Sequence, residues 1–173
     1  MRSPKTTWHR SKPTDELDFW RIEDLAHEDL PHPRVLINGS FDLLHASHLR
    51  LFHAAAQKAG PSGTIVLALD SDRLVRQHKG QGRPVLTWVE RAAQTHWFCD
   101  RLVEIDSDED FLELVNAVQP DLRVQGGDYE GKPSRIPWVP RLLIASENMR
   151  NKRGMRTSEI IERVVGRYGH VGG

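Results

Sequence analysis

The 173-residue sequence is most easily bounded by what it lacks. It has one cysteine, Cys99, so no disulfide can form within the chain. That residue follows Trp97 and Phe98 in an apolar stretch, which marks it as core rather than nucleophile. Net charge is absent too: 24 Lys and Arg balance 24 Asp and Glu, leaving no overall basic field to hold nucleic acid. No apolar run resembles a signal-peptide core or a membrane span, so a soluble, cytoplasmic protein with no membrane partner is expected. H-E-x-x-H is missing, and a lone cysteine gives the histidines no third strong zinc ligand, so no protein-held metal is expected. There is no internal repeat and no low-complexity segment. The length suits one domain with a proper core.

What is present centres on one stretch, Arg34-Val-Leu-Ile-Asn-Gly-Ser-Phe-Asp-Leu-Leu-His-Ala-Ser-His48. The apolar run 35–37 suits a buried parallel strand, and Asn38-Gly39-Ser40 breaks it and turns the chain. From about Ala46 a helical period takes over, with Leu49, Phe52, Ala55, Ala56 and Ala59 on one apolar side and Gly60-Pro61 as its stop. A strand, a tight turn and a helix N-terminus make a phosphate site, because unpaired backbone N–H groups and the helix dipole both attract anions. His45 and His48 stand three residues apart at that N-terminus, so both rings can face one ligand. An isolated H-x-x-H is equally readable as two idle surface histidines; its context must decide.

Residues 1–13 are basic and polar, contain Pro4 and Pro13, and read as a flexible tail before a domain over 14–170. Thr14 is placed to cap a helix over 15–29 whose buried side is Leu17, Trp20 and Leu25, ended by Pro31-His32-Pro33. Residues 64–70 form the second strand, Ser71-Asp72 start a short helix, and 79–85 make an exposed Gly-rich basic loop. Thr87-Trp88-Val89-Glu90 is a capping box for a helix carrying Val89, Ala92, Ala93, His96 and Trp97. Strand three is 101–105; Ser107 or Asp108 then caps a helix with Phe111, Leu114, Val115 and Val118 inward, closed by Pro120. Strands at 121–125 and 141–145 follow, and a last helix over 157–168 is expected to bury Ile160, Ile161, Val164 and Val165. Alternating strands and helices predict an α/β fold, a doubly wound parallel five-stranded sheet with right-handed crossovers. Such sheets bind ligands beyond the carboxyl ends of their strands.

Gly39-Ser40-Phe41-Asp42-Leu43-Leu44-His45-Ala46-Ser47-His48 resembles the G-x-F-D and H-x-G-H motif of a nucleotidyltransferase superfamily, with Ser47 where that family usually has Gly. The resemblance implies a Rossmann-like fold in which His45 and His48 contact the α-phosphate as its charge grows in the transition state. It also puts Gly39, Ser40, Phe41 and Asp42 in the nucleotide site. Nucleotidyl transfer needs positioning and charge stabilisation more than covalent catalysis, so the role fits imidazole chemistry.

Lys79-Gly80 with Arg83-Pro84-Val85 resembles the K-G-x-x-R-P-V of the adenylyltransferase half of ADP-heptose synthases. This implies Lys79 as a catalytic phosphate ligand and Arg83 as a second cation on the substrate. Residues 120–129 resemble the P-D-x-x-V-K-G-G-D-Y of the same enzymes, with Gln125 in place of lysine. By that likeness Gly126 and Asp128 belong to the nucleotide, and Gln125, Gly127 and Tyr129 to the acceptor. Glu130-Gly131-Lys132 is nearer to the glycerol-3-phosphate cytidylyltransferases. Arg156-Thr157-Ser158-Glu159-Ile160-Ile161 resembles the motif opening the family's last helix, a second anion site for the β- and γ-phosphates. Arg156 stands where relatives have a serine, and Arg150, Lys152 and Arg153 precede it.

Together these likenesses imply an enzyme that moves a nucleotidyl group from a nucleoside triphosphate to a small phosphorylated acceptor. ATP with a sugar phosphate of the heptose 1-phosphate type comes first, and CTP with glycerol 3-phosphate second. Pyrophosphate leaves, and Mg2+ accompanies the triphosphate. A silent nucleotide-binding module is the remaining reading, because Ser47, Gln125 and Arg156 depart from the pattern. Gln125 is expected to face the site, with Arg156 supplying part of the missing charge. The base, the acceptor and the oligomeric state stay open, a homodimer included.

Overall fold

The computed structural model describes residues 19–144 and 156–169, apart from the side chain of Asp128. The expected tail, the Thr14 cap, Leu17, Ala145, Arg150, Lys152 and Arg153 lie outside the described residues. Thr64–Asp70 (β2) is apolar on both faces and buried from Thr64 to Leu69, as a strand covered on both sides must be. It pairs with Arg34–Gly39 (β1) and Arg101–Ile105 (β3); β1 pairs with Leu122–Gly126 (β4), and β4 with Arg141–Ile144 (β5). Every pairing is parallel and the order is β3-β2-β1-β4-β5, the expected doubly wound sheet. The direction of winding reverses between β1 and β4, so a crevice opens at their carboxyl ends.

Six helices accompany the sheet among the described residues: Ile22–Leu25 (α1), Ala46–Ala59 (α2), Asp72–Lys79 (α3), Trp88–Thr95 (α4), Asp108–Val118 (α5) and Thr157–Tyr168 (α6). Alternating strand residues divide the core in two. Val35, Ile37, Ile65, Leu67 and Val124 pack with Phe52 and Ala55 of α2. Leu36, Val66 and Val103 pack with Phe111, Leu114 and Val118 of α5. No helix among the described residues is long and apolar enough to cross a membrane.

Several expectations need correction. Within the described part of the expected 15–29 helix only α1 is helical, and Trp20 before it is extended: it bridges to Val103, and its N–H donates to Leu102 O at 2.7 Å. Lys79 is the last residue of α3, not part of a loop. In α2 the buried side is Leu51, Phe52, Ala55 and Ala59, while Leu49 is exposed. In α4 Val89 and Ala93 face outward and Arg91, Ala92 and Thr95 face inward, and Trp97, on the 3-10 turn that follows, is exposed. The cause is Arg91, whose guanidinium finds polar partners in the interior and turns the helix toward them. None of the expected α6 residues is buried among the described residues: Ile160 and Ile161 are half-buried, and Val164 and Val165 exposed.

Candidate active site

Helix N-termini set the electrostatics. Ser71 caps α3, the Thr87–Glu90 box caps α4, and Ser107 caps α5. The other two helices of eight residues or more have no side-chain cap bond: His45 stands at the N-cap position of α2 and Arg156 at that of α6. These two ends open onto one cavity of about 280 Å³, where first-turn N–H groups favour an anion. His45, Ser47 and His48 line it from α2, and Arg156, Thr157 and Ser158 from α6. Lys79 and Arg83 close one side, Gly126 and Ile144 another.

The strand-to-helix turn beneath the cavity is tightly held. Phe41 takes a left-handed φ of 42°, and its ring packs on Phe52 at 5.0 Å and on His48 at 5.2 Å. Asp42 is buried and accepts the N–H groups of Val85 and Leu86, each at 2.9 Å, and Nε of Arg83 at 2.7 Å. Burial alone would raise its carboxyl, but the N–H groups of Leu86 and Val85 and the Arg83 guanidinium outweigh it and hold Asp42 below the usual carboxylate range. Asp42 therefore fastens the 79–86 segment to the turn, and it does not line the cavity. Arg83 does line it, with Nε engaged by Asp42.

The two imidazoles stack, centroids 3.8 Å apart and planes at 22°. Burial, then the neighbouring charges of His45 and Lys79, push His48 down to about 3, against the opposing Leu43 hydrogen bond and Asp42 charge. Lys79 is exposed along its stem, yet Nζ turns inward and donates a short hydrogen bond to Ser40 Oγ. Burial and the Arg83 charge lower its ammonium, while Asp70 and Asp42 pull the other way.

Arg91 went unnoticed in the sequence, although Thr87, Arg91 and Thr95 at i, i+4 and i+8 share a helix face. It is fully buried; Nη1 donates to Ser40 O at 2.6 Å, Nη2 to Asp72 Oδ1 at 2.7 Å and Nε to Leu86 O at 3.2 Å. One side chain thus joins the β1 turn, the start of α3 and the entry to α4.

The structure gathers most of the anticipated residues at the cavity, but not all. Gly39, Ser40, Phe41 and Asp42 form the turn beneath it. Gly127 and Tyr129 lie on a 3-10 turn after β4, and Lys132 sits 5.3 Å over the Tyr129 ring. The Asp128 side chain lies outside the described residues. Gln125 is not among the residues that line this cavity: it alternates with Val124, which faces α2, and so shares the α5 face with Arg123, next to the lining residue Gly126. Among the described residues the lining of this cavity has no carboxylate, and no group of three or more His, Cys, Asp or Glu could hold an ion. These residues do not fit a protein-held magnesium.

Residues 36–163 match the cytidylyltransferase-like family. The bifunctional protein HldE of Syntrophotalea carbinolica is 36% identical over 141 residues, 78% of this chain and 27% of that protein. Its counterpart from Nitratiruptor sp. is 35% identical over 167 residues, 90% of this chain and 33% of that protein. The chain therefore spans a third or less of those relatives. A crystal structure of a protein of unknown function from Archaeoglobus fulgidus shares the fold, with a TM-score of 0.52, 20% identity and coverage of 71% of this chain and 98% of that one. The chain belongs to the cytidylyltransferase-like family of nucleotidyltransferases.

Proposed function

We propose that the protein transfers an adenylyl group from ATP to the phosphate of a sugar phosphate of the heptose 1-phosphate type. An acceptor phosphate oxygen forms a bond to the α-phosphorus as the bond from that phosphorus to the β-bridging oxygen breaks. Pyrophosphate leaves with the electron pair. In this reading neutral His48 and its partner His45 donate N–H groups to the α-phosphate oxygens as their charge grows. Lys79 neutralises phosphate charge, and the uncapped start of α6, with Arg156, Thr157 and Ser158, takes the β- and γ-phosphates. Magnesium enters only as the counter-ion carried by the triphosphate, and no step is assigned to a protein-held metal.

The observation that carries this reading is the convergence of two uncapped helix ends, two stacked imidazoles and Lys79 on one cavity. The choice of ATP and a sugar 1-phosphate is supported by the likeness of the Lys79 and Gly126 segments to ADP-heptose synthases and by the HldE relatives. The test is pyrophosphate release over a grid of the four nucleoside triphosphates against heptose, hexose and polyol phosphates. Turnover should be fastest with ATP and a heptose phosphate. Fastest turnover with CTP and glycerol 3-phosphate would replace these substrates, and binding without turnover anywhere on the grid would leave a silent module.

A further inference from the structure

Arg123 is 3% exposed, yet no described carboxylate pairs with it. Its guanidinium lies 4.9 Å over the Phe111 ring, and Nε and Nη2 donate to Asn38 Oδ1 at 3.0 and 2.8 Å. Nη1 has no acceptor among the described residues. Burial lowers its pKa to about 10, which leaves it charged at neutral pH.

Register explains where this charge stands. Leu36 pairs with Arg123 and Ile37 with Val124, so Asn38 is level with Gln125. The Arg123 side chain has therefore run toward the carboxyl end of the sheet, and its cation lies beside position 125, where the resembling enzymes carry a lysine. Gln125, also 3% exposed, has an Oε1 with no donor among the described residues. Its neighbour Gly126 lines the histidine cavity. Gln125 Oε1 is a buried acceptor left without a donor, and the Arg123 cation beside it is held by a neutral amide and a ring rather than by a carboxylate, so this strand end suits a ligand with an anion and a hydroxyl.

We propose that Arg123, Asn38 and Gln125 form the acceptor subsite at the carboxyl ends of β1 and β4, where Arg123 Nη1 binds a phosphate-ester oxygen and Gln125 Oε1 accepts from a hydroxyl of the same molecule. The word acceptor rests on the function proposed above; the ligand class, a hydroxylated phosphate monoester, rests on the two side chains. Asn38 positions the guanidinium. Arg123 supplies the positive charge of this subsite, and Arg156 is left to the nucleotide.

Calorimetric titration tests this on the full chain, with glycerol 3-phosphate, glucose 1-phosphate, mannose 1-phosphate and methyl phosphate as probes. Each is titrated with and without saturating α,β-methylene ATP, and the nucleotide analogue is titrated separately. At least one hydroxylated ester should bind the wild type, and Arg123→Met should weaken it about tenfold or more, as loss of a hydrogen bond to a charged group does. Gln125→Leu should weaken the hydroxylated esters several-fold and leave methyl phosphate unchanged. Neither variant should alter affinity for the nucleotide analogue. If Arg123→Met does not fold, Arg123→Lys and Gln125→Leu carry the same comparison. The subsite is overturned if esters bind the variants as tightly as the wild type. It is equally overturned if the variants weaken ester and nucleotide alike, or if no ester binds the wild type. A protein that fails to bind the analogue but binds esters through Arg123 would refute the nucleotidyltransferase substrates and keep the subsite.

Discussion

The imidazoles of His45 and His48 lie nearly parallel with their centroids 3.8 Å apart, too close for both to carry charge comfortably. His48, pushed down to about 3, is neutral at physiological pH and can offer an N–H without adding a cation. Lys79, Arg83 and Arg156 bring positive charge to the same cavity. His48→Ala should lower turnover about a hundredfold, the usual cost of losing one transition-state donor. Circular dichroism should show an unchanged fold. Undiminished turnover in a folded variant would remove His48 from the chemistry.

Lys79 and Arg83 look equivalent in sequence but should part company on substitution. Among the described residues the Lys79 amine holds only Ser40 Oγ, so Lys79→Ala should weaken triphosphate-dependent turnover with little change in melting temperature. Arg83 compensates the buried carboxylate of Asp42. Its removal strands that charge and should cost about 3 kcal/mol of stability, the low end for a broken buried pair because two N–H donors remain. Chemical denaturation of both variants decides the point, and equal stability losses would contradict it.

Arg91 should act by positioning. Its three hydrogen bonds to Ser40, Leu86 and Asp72 need the fixed fork of a guanidinium, which an ammonium cannot reproduce. Arg91→Lys should therefore stay folded at room temperature yet lose about tenfold to a hundredfold in kcat, since a shift of about 1 Å in a turn can cost that much. Arg91→Met should lose more of both activity and stability. Were Arg91 only a structural tie, Arg91→Lys would melt earlier while keeping wild-type kcat well below its melting temperature.

The sheet was legible because short apolar runs alternate with helices that mostly open on capping residues: 64–70 and 101–105 coincide with β2 and β3, the Thr87–Glu90 capping box forms, Ser71 caps the helix expected to start there, and of Ser107 and Asp108 it is Ser107 that caps α5. What escaped was decided by tertiary partners. Arg91 and Arg123 are charged residues that sequence rules place outside, yet Asp72 and Ser40 hold one inside and Asn38 and Phe111 the other. Leu49 and Val164 were assigned inward by helical periodicity, although α2 turns Leu51 to the core and α6 has no fully buried side chain among the described residues. The H-x-x-H spacing brought both rings to one cavity, as expected, but could not reveal that they stack. Gln125 shows the limit of a motif: the likeness located the residue at a strand end, and only the alternation along β4 fixed its face.

The pH dependence of stability follows from His48. Its pKa is about 3 in the folded protein against about 6.5 in an unfolded chain, so between these values the unfolded state binds the extra proton. The stability tied to a neutral His48 is complete above about pH 6.5 and is lost as the pH falls toward 3, by at most about 1.4 kcal/mol per pH unit. Asp42, held low, loses its contribution only at more acid pH, as its own folded pKa is approached. Asp70 and Glu104, raised by burial, work in the opposite direction: they stabilise the acid side and lose that as pH rises. The wild-type curve therefore mixes opposing slopes, and the difference from a His48→Gln variant isolates the histidine. Urea denaturation at several pH values from 7 down to 4 should show the variant gaining on the wild type as the solution is acidified, because glutamine takes up no proton. Parallel curves across that window would mean that His48 is not held neutral by its surroundings, and the neutral-donor role would go with it.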